Sequence, residues 1–305
     1  MESLNRYQYP TVISTKGTTL LTTPEYLDLL GNGLYIVQVS LPSMDDSIKK
    51  LEPGAPPPAE RLRALETLAN KGIYTVCRIQ PMIPNSPIED KLPEFIRTLA
   101  SVGVKHVVVE AFKMQMRNMA HTQMIKEIYP HTWQEYAYQG TQNYGFEAML
   151  PSWRKYQYIK VAAEVCHAKG LTLGAADNDM RLFGDKICCC GVDGVAGFDN
   201  WWKYQASTAA FIAKEKGTVT LADMTMYWVG DDAEINEQEG VFRDYCKARG
   251  LRTTAKNAVD YNWQYGGELS PGNICGLKKT GQLEYTYTDP APLLEKNQVK
   301  QFTML

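Results

Sequence analysis

Apolar and polar positions follow two rhythms over the first 176 residues. Short, nearly continuous apolar runs at 11–15, 34–40, 73–80, 104–110 and 171–175 are separated by longer stretches whose apolar residues recur every three or four positions. The first pattern is that of strands covered on both faces, the second that of amphipathic helices. Helices predicted at 59–71 and 87–102 show it plainly. Leu62, Leu65, Leu68 and Ala69 share one face of the first, and Leu92, Phe95, Ile96 and Leu99 share one face of the second. Thr23 followed by Pro24 marks an earlier helix start, a cap with proline in the first turn. The succession of helix, glycine and apolar strand recurs at Gly72, Gly103 and Gly170, glycine being suited to the left-handed residue that ends a helix. Repeated units of this kind stack into an α/β fold with a parallel sheet.

The rhythm fails between about 111 and 150, a segment rich in Met, Gln, Tyr and Asn that is expected to form an irregular or helical insertion over the open rim of the sheet. It resumes with a helix at 152–169 and the strand at 171–175. Beyond Asp177 come the run Cys188-Cys189-Cys190-Gly191, a predicted helix near 201–216, and a polar stretch containing Gly266-Gly267 and Pro271-Gly272. The expected organisation is therefore a β/α region over 1–176 and a C-terminal α/β extension over 177–305. The strand at 11–15 stands at a bare edge unless a later segment or a partner chain covers it.

Composition narrows the function classes. The chain has 305 residues, 44% hydrophobic and 22% charged, with a formal net charge of −2. These are the values of a soluble globular protein without a global basic field for nucleic acid. The sequence has no apolar run of about 18 residues and no signal-peptide core. Seven cysteines, three of them consecutive, do not form a secreted disulfide framework. A cytoplasmic location is the expectation.

Candidate chemistry gathers where the strands end. Lys16, Ser40, Arg78 and Glu110 lie at or near the C-terminal ends of successive strands, and Asp177 directly follows the last. In a parallel sheet these ends converge on one rim, where ligands bind. A lysine, a serine and an arginine meeting there form a pocket for an anionic or zwitterionic small molecule. Arg78 and Gln80 point to the same face. Glu110 is a ligand contact or one half of an ion pair. Asp177-Asn178-Asp179 holds a polar group or hard cation, or caps a helix as an Asx turn.

Cys188, Cys189 and Cys190, with Cys246 or Cys275, are candidate ligands for a metal or auxiliary iron–sulfur cluster. Adjacent cysteines point to different sides, and the alternative is a turn of buried or free thiols. His121, His131 and His167 lack metal-binding spacing, and Met114, Met116, Met119 and Met124 suit adaptable packing. Trp201-Trp202-Lys203-Tyr204 either stacks a base beside a positive charge or anchors the following helix.

The order Thr15-Lys16, Val39-Ser40, Leu51-Glu52-Pro53-Gly54 with Arg61-Leu62 downstream, then Gln80-Pro81-Met82-Ile83-Pro84, resembles the radical S-adenosylmethionine (SAM) superfamily. Within it, the chain is most similar to the spore photoproduct lyase and DNA repair photolyase-like branch. The resemblance is specific over roughly residues 10–110 and weakens toward 176. It implies a partial (β/α)6 barrel that holds SAM and a 4Fe–4S cluster at the rim, where SAM is cleaved to a 5′-deoxyadenosyl radical. It further implies that Lys16 and Ser40 contact the methionyl carboxylate and amine of SAM. Arg78 and Gln80 are implied in SAM or substrate binding, and Glu110 and Asp177 in contacts to ribose or substrate. Glu52, Pro53 and Gly54 match the turn after the fourth barrel strand, and Arg61 ties the next helix to it.

One departure is severe: the cluster motif CxxxCxxC is absent from the sequence. In relatives it precedes the Thr-Lys strand by about two βα units. The chain thus resembles the later part of such a barrel. It is expected to be a fragment, one half of a split enzyme whose partner chain brings the missing strands and cysteines, or a catalytically silent barrel that binds a ligand or partner. Because spore photoproduct lyase acts on a thymine dimer in DNA, nucleic acid is a further candidate partner. A conventional lyase or isomerase using Lys16 as base lacks a poised acid–base set.

Overall fold

The computed structural model describes residues 1–115, 118–138, 142–144, 147–198, 206–225, 241–267 and 270–302. The predicted rhythm becomes five parallel strands, β1 (Thr11–Thr15), β2 (Tyr35–Ser40), β3 (Tyr74–Met82), β4 (His106–Ala111) and β5 (Thr172–Ala175), side by side in that order. They are connected through α1 (Pro24–Gly31), α2 (Pro58–Asn70), α3 (Leu92–Ser101) and α4 (Ser152–Ala168). The sheet is open, with β1 and β5 as its edges. The helix expected at 87–102 is divided into Pro87–Asp90 and α3. Pro93, in the first turn of α3, lacks the amide that a continuous helix needs there.

The two faces of this sheet differ in chemistry. Val39, Cys77, Val107 and Leu173 form one cross-strand row, and Ile79, Val109 and Ala175 the next. This face is buried, as are Leu65 and Leu68 of α2 and Ile96 and Leu99 of α3, the apolar faces read from the sequence. Alternation turns the intervening residues to the opposite face. There one row runs Ser14, Gln38, Val76, His106, Thr172, and the next runs Ser40, Arg78, Val108, Gly174. The polar side of the sheet therefore carries its functional candidates.

Residues 184–198 cover part of that polar face. His106 is fully buried. Its Nε2 lies 2.9 Å from the Cys189 carbonyl oxygen and its Nδ1 lies 2.7 Å from Thr172 Oγ1. A carbonyl only accepts, so Nε2 carries the proton and Nδ1 accepts from the threonine hydroxyl. Two glycines permit this approach. A Cβ at Gly174 would collide with the Cys189 carbonyl, and one at Gly191 would lie 2.6 Å from the His106 ring. Gly191 also has φ of 70°, where a side chain is strained. Asp193 accepts from the amides of Ile187 and Cys188, and Asp185 exchanges hydrogen bonds with Leu173 at the β5 edge.

The chain divides into two compact units, Met1–Asp199 with Leu294–Leu305, and Asn200–Leu293. Residues 177–198, grouped by sequence with the C-terminal extension, thus belong with the parallel sheet through the bonds just given. The expected insertion contains helices Met119–Ile128 and Pro130–Tyr138 together with a small antiparallel sheet of Met114–Gln115, Gln142–Tyr144 and Glu147–Met149. In the second unit, β6 (Thr218–Thr220), β7 (Leu277–Lys279) and β8 (Glu284–Tyr287) form an antiparallel sheet in the order β7-β8-β6. Its helices include α5 (Ala206–Lys216), α6 (Val241–Ala248) and α7 (Ala255–Tyr265), and Phe242, Cys246 and Ala258 make a small core between the last two. No helix among the described residues is long and apolar enough to cross a membrane.

Two stability predictions follow from buried polar groups. Arg61, 1% exposed, donates from Nη1 to Glu52 Oε2 at 2.8 Å and to the Ser40 carbonyl at 2.7 Å. Arg61→Ala leaves Glu52 with Lys16 alone, and urea denaturation should show a loss of about 3 kcal/mol. Burial pushes the His106 imidazole below its ordinary value. As pH falls through about 6.5, the unfolded chain takes up the proton first, so folded stability declines below that pH and is complete above it. His106→Asn should remove a slope of at most about 1.4 kcal/mol per pH unit between about pH 6.5 and 5, measured by denaturation at each pH.

Candidate functional site at the strand C-termini

Two polar clusters occupy the rim near β1–β3 and β3–β4. At the first, Glu52 is buried, with 4% side-chain exposure, and receives two cations. Lys16 Nζ lies 2.8 Å from Oε1, and Arg61 Nη1 lies 2.8 Å from Oε2. The same Arg61 group reaches the Ser40 carbonyl, so one carboxylate gathers the end of β1, the end of β2 and the start of α2. Ser40 Oγ donates to the Gln80 carbonyl at 3.3 Å. Lys16 is the open member of the cluster, with half its side chain exposed. The resemblance-based role of Arg61 as a tie between helix and turn matches this geometry.

At the second cluster, Gln80 Oε1 accepts from Arg78 Nε at 3.0 Å and Nη2 at 2.6 Å, while Gln38 Oε1 accepts from Nη1 at 3.2 Å. These contacts hold the guanidinium flat along the polar face. Its ion pair with Glu110 is looser, 3.4 Å from Nη2 to Oε2. Glu110 makes its closer pair with Lys113, 2.9 Å from Oε1. Burial works against the charge on Lys113, but the hydrogen bond and field of Glu110 prevail and raise its pKa. Both signs of charge thus stand along this part of the rim, with Glu110 in the ion pair that the sequence left open as an alternative.

Asp177 does not cap the helix that follows it, one of the two roles expected from the sequence. It precedes a short 3-10 helix, Asn178–Phe183, but makes no side-chain cap there. Instead Oδ2 accepts the Ala111 amide at 2.8 Å, joining the exit of β5 to the end of β4. Oδ1 lies 3.3 Å from Lys155 Nζ, which is 2.9 Å from Asp179 Oδ1. Burial raises the Asp177 pKa despite Lys155. Lys155 is itself almost fully buried, and the two aspartates outweigh its desolvation and raise its pKa. Ser152 Oγ completes the group by donating to Asp179 Oδ2. With 3% of its surface exposed, Asp177 braces the rim from behind.

Several of these residues had no sequence signal. Lys155, Lys113 and His106 are single polar residues in otherwise ordinary elements, and their roles arise from which neighbours the fold supplies. Arg154 is similar: it pairs with Glu89 and Glu135 and fastens the insertion to α4. His167 is exposed and pairs with Asp185 at 2.8 Å. Met116 and the sequence Trp201-Trp202-Lys203-Tyr204 lie outside the described residues.

None of the seven cysteines forms a disulfide. Among the described residues, no group of three or more His, Cys, Asp and Glu side chains is arranged to hold a metal ion. Cys188, Cys189 and Cys190 lie on one turn, closed by the Gly191 amide on the Cys188 carbonyl, and no such group includes them. The described residues therefore do not fit a 4Fe–4S cluster. The rim does fit a zwitterion: Lys16 and the partly exposed Arg78 and Lys113 supply cations, and Glu110 supplies an anion.

No protein-family model and no curated protein matches the sequence. Among solved structures, a spore photoproduct lyase variant with bound AdoMet and dinucleoside spore photoproduct superposes with a TM-score of 0.41 at 15% identity, over 56% of this chain and 54% of that one. Spore photoproduct lyase complexed with dinucleoside spore photoproduct gives 0.42 at 16% identity, over the same shares of the two chains. SuiB of Streptococcus suis bound to S-adenosylmethionine gives 0.39 at 10% identity, over 60% of this chain and 36% of SuiB. The matched region spans about half of the spore photoproduct lyase chains and a smaller part of SuiB, and likeness of this degree assigns neither a family nor a site residue.

Proposed function

We propose that this chain is a radical SAM-like protein that binds S-adenosylmethionine at the C-terminal rim of its parallel sheet. The observation that carries this reading is the half-exposed Lys16, held beside the end of β2 by Glu52 and Arg61. A lysine ammonium has three donors, so Nζ holds Glu52 and still meets the methionyl carboxylate. Ser40 ends β2, whose last carbonyl Arg61 holds, and its hydroxyl adds a contact to this amino-acid end. Glu110 accepts the ligand's amine, while Arg78, fixed by Gln38 and Gln80, orients polar groups farther along the rim. Asp177 acts through Ala111 and Lys155, setting the backbone at the end of β4.

S-adenosylmethionine supplies an activated sulfonium, and radical chemistry on it requires a 4Fe–4S cluster. Since this sequence has no CxxxCxxC and the described residues offer no cluster ligands, that chemistry depends on cysteines from outside it, a partner chain being one source. Such a partner also suits the open edge of β1. Without it, the same rim serves a catalytically silent SAM-binding protein.

Isothermal titration calorimetry of the full chain with S-adenosylmethionine tests the site. Saturable binding is expected, and Lys16→Ala should raise Kd about tenfold, or about 1.4 kcal/mol, with unchanged circular dichroism. Absence of saturable binding by the wild-type chain, or an unaltered Kd in the lysine variant, overturns the assignment.

A further inference from the structure

We propose that the cavity between the C-terminal ends of α2 and α3 is a binding site for a small amino-acid zwitterion. The inference goes beyond the SAM-binding reading. This cavity lies where the helices turn into the N-terminal ends of β3 and β4, opposite the rim, and is lined by residues of its own.

Its volume is about 170 Å³. At about 30 Å³ of liquid volume per water, that is the space of roughly five or six waters. A free amino acid with a short side chain fills it, whereas the whole of S-adenosylmethionine does not fit.

The lining carries both signs of charge on fixed elements. Glu66 and Asn70 stand on α2 at i and i+4, the spacing that puts both side chains on one helix face. Ser101 ends α3, and Lys105 directly precedes β4. Asn70 and Ser101 are the last residues of their helices, so the negative ends of both helix dipoles meet this cavity. Gly103, with φ of 87°, lets the turn after α3 come close to α2; a Cβ there would lie 3.0 Å from the Ala69 Cβ. The backbone of Lys105 is pinned on both sides. Its amide donates to the Thr75 carbonyl at 3.1 Å, and its carbonyl accepts from the Thr172 amide at 3.3 Å.

These groups are uncommitted. Glu66 and Lys105 line one cavity without pairing with each other. Among the described residues, the Glu66 carboxylate, the Asn70 side-chain amide and the Lys105 ammonium have no hydrogen-bond or ion-pair partner. Ser101 Oγ donates to the Thr98 carbonyl at 2.8 Å, which leaves the same oxygen free to accept.

An amino acid matches this set in both signs. Its ammonium has three donors, which suit the Glu66 carboxylate, the Asn70 side-chain oxygen and Ser101 Oγ. Its carboxylate takes Lys105 Nζ and the Asn70 amide nitrogen. A ligand with one charge leaves either Glu66 or Lys105 unmatched. All four polar residues are exposed, so the ligand enters from solvent and its charges are partly screened.

Saturation-transfer-difference NMR on the full chain tests the site, with L-alanine, L-serine and L-glutamine as probes and acetate and ethylammonium as singly charged controls. At least one amino acid should saturate with a Kd of about 1 mM or lower, and both controls should bind at least about tenfold more weakly. Glu66→Gln and Lys105→Met, with wild-type circular dichroism, should each raise that Kd about tenfold. Excess S-adenosylmethionine should not displace the amino acid, so the result stands whether or not the rim binds that nucleotide. No saturation by any of the three amino acids overturns the proposal, as does equal binding of either control. An unaltered Kd in either variant, or displacement by S-adenosylmethionine, overturns it equally.

Discussion

A carboxylate taken out of water has to be compensated by cations and donors, and Glu52 imposes that requirement on three separate elements. It lies where β1, β2 and α2 meet, with Arg61 on one oxygen and Lys16 on the other. The two cations are unequal. Arg61 is 1% exposed and has no recourse to solvent, so the carboxylate and guanidinium fix each other. Lys16 is half exposed, and an exposed pair contributes little to stability. The arrangement therefore divides labour: the buried pair sets the geometry of the rim, and the outer lysine is left with donors to share.

The same division recurs across the sheet. Asp177 and Asp179 hold Lys155 below the surface, and Asp177 fixes the amide that follows Glu110. Glu110 then faces outward to Lys113 and, more loosely, Arg78. In each place a buried ion pair positions backbone, and a more exposed charge stands in front of it. A rim built in this way keeps its shape while its outer charges exchange one partner for another.

The strands and helices were legible because burial has a period. Every predicted parallel strand is present within two residues of its expected bounds, the face read from α3 is buried, and Leu65 and Leu68 of that read from α2 are buried while Leu62 and Ala69 are partly exposed. What escaped the sequence was held by single contacts. The loop after β5 looks like the start of a new region, being polar, glycine-containing and rich in cysteine, yet His106, Asp185 and two glycines bind it to the sheet. Asp177 resembles a helix cap, but a nearer backbone donor, the Ala111 amide, claims its oxygen. Lys16, Ser40, Arg78 and Glu110 were foreseeable because strand ends in a parallel sheet share a rim. Lys155 was not, since a buried lysine has the same local sequence as an exposed one.

The loop over the polar face also explains how a sheet with one hydrophilic side avoids exposing its backbone and buried groups. Helices cover the apolar face through side-chain packing, which tolerates modest changes of shape. The opposite face is covered by backbone lying directly on side chains, and that contact is less forgiving. The His106 ring occupies the space in which Gly191 would carry a Cβ, and the Cys189 carbonyl occupies the corresponding space at Gly174. Burial favours the neutral histidine, whose Nε2 proton is directed to the Cys189 carbonyl of the loop. The three cysteines are carried on this same pinned turn, so the way the polar face is closed also fixes their backbone.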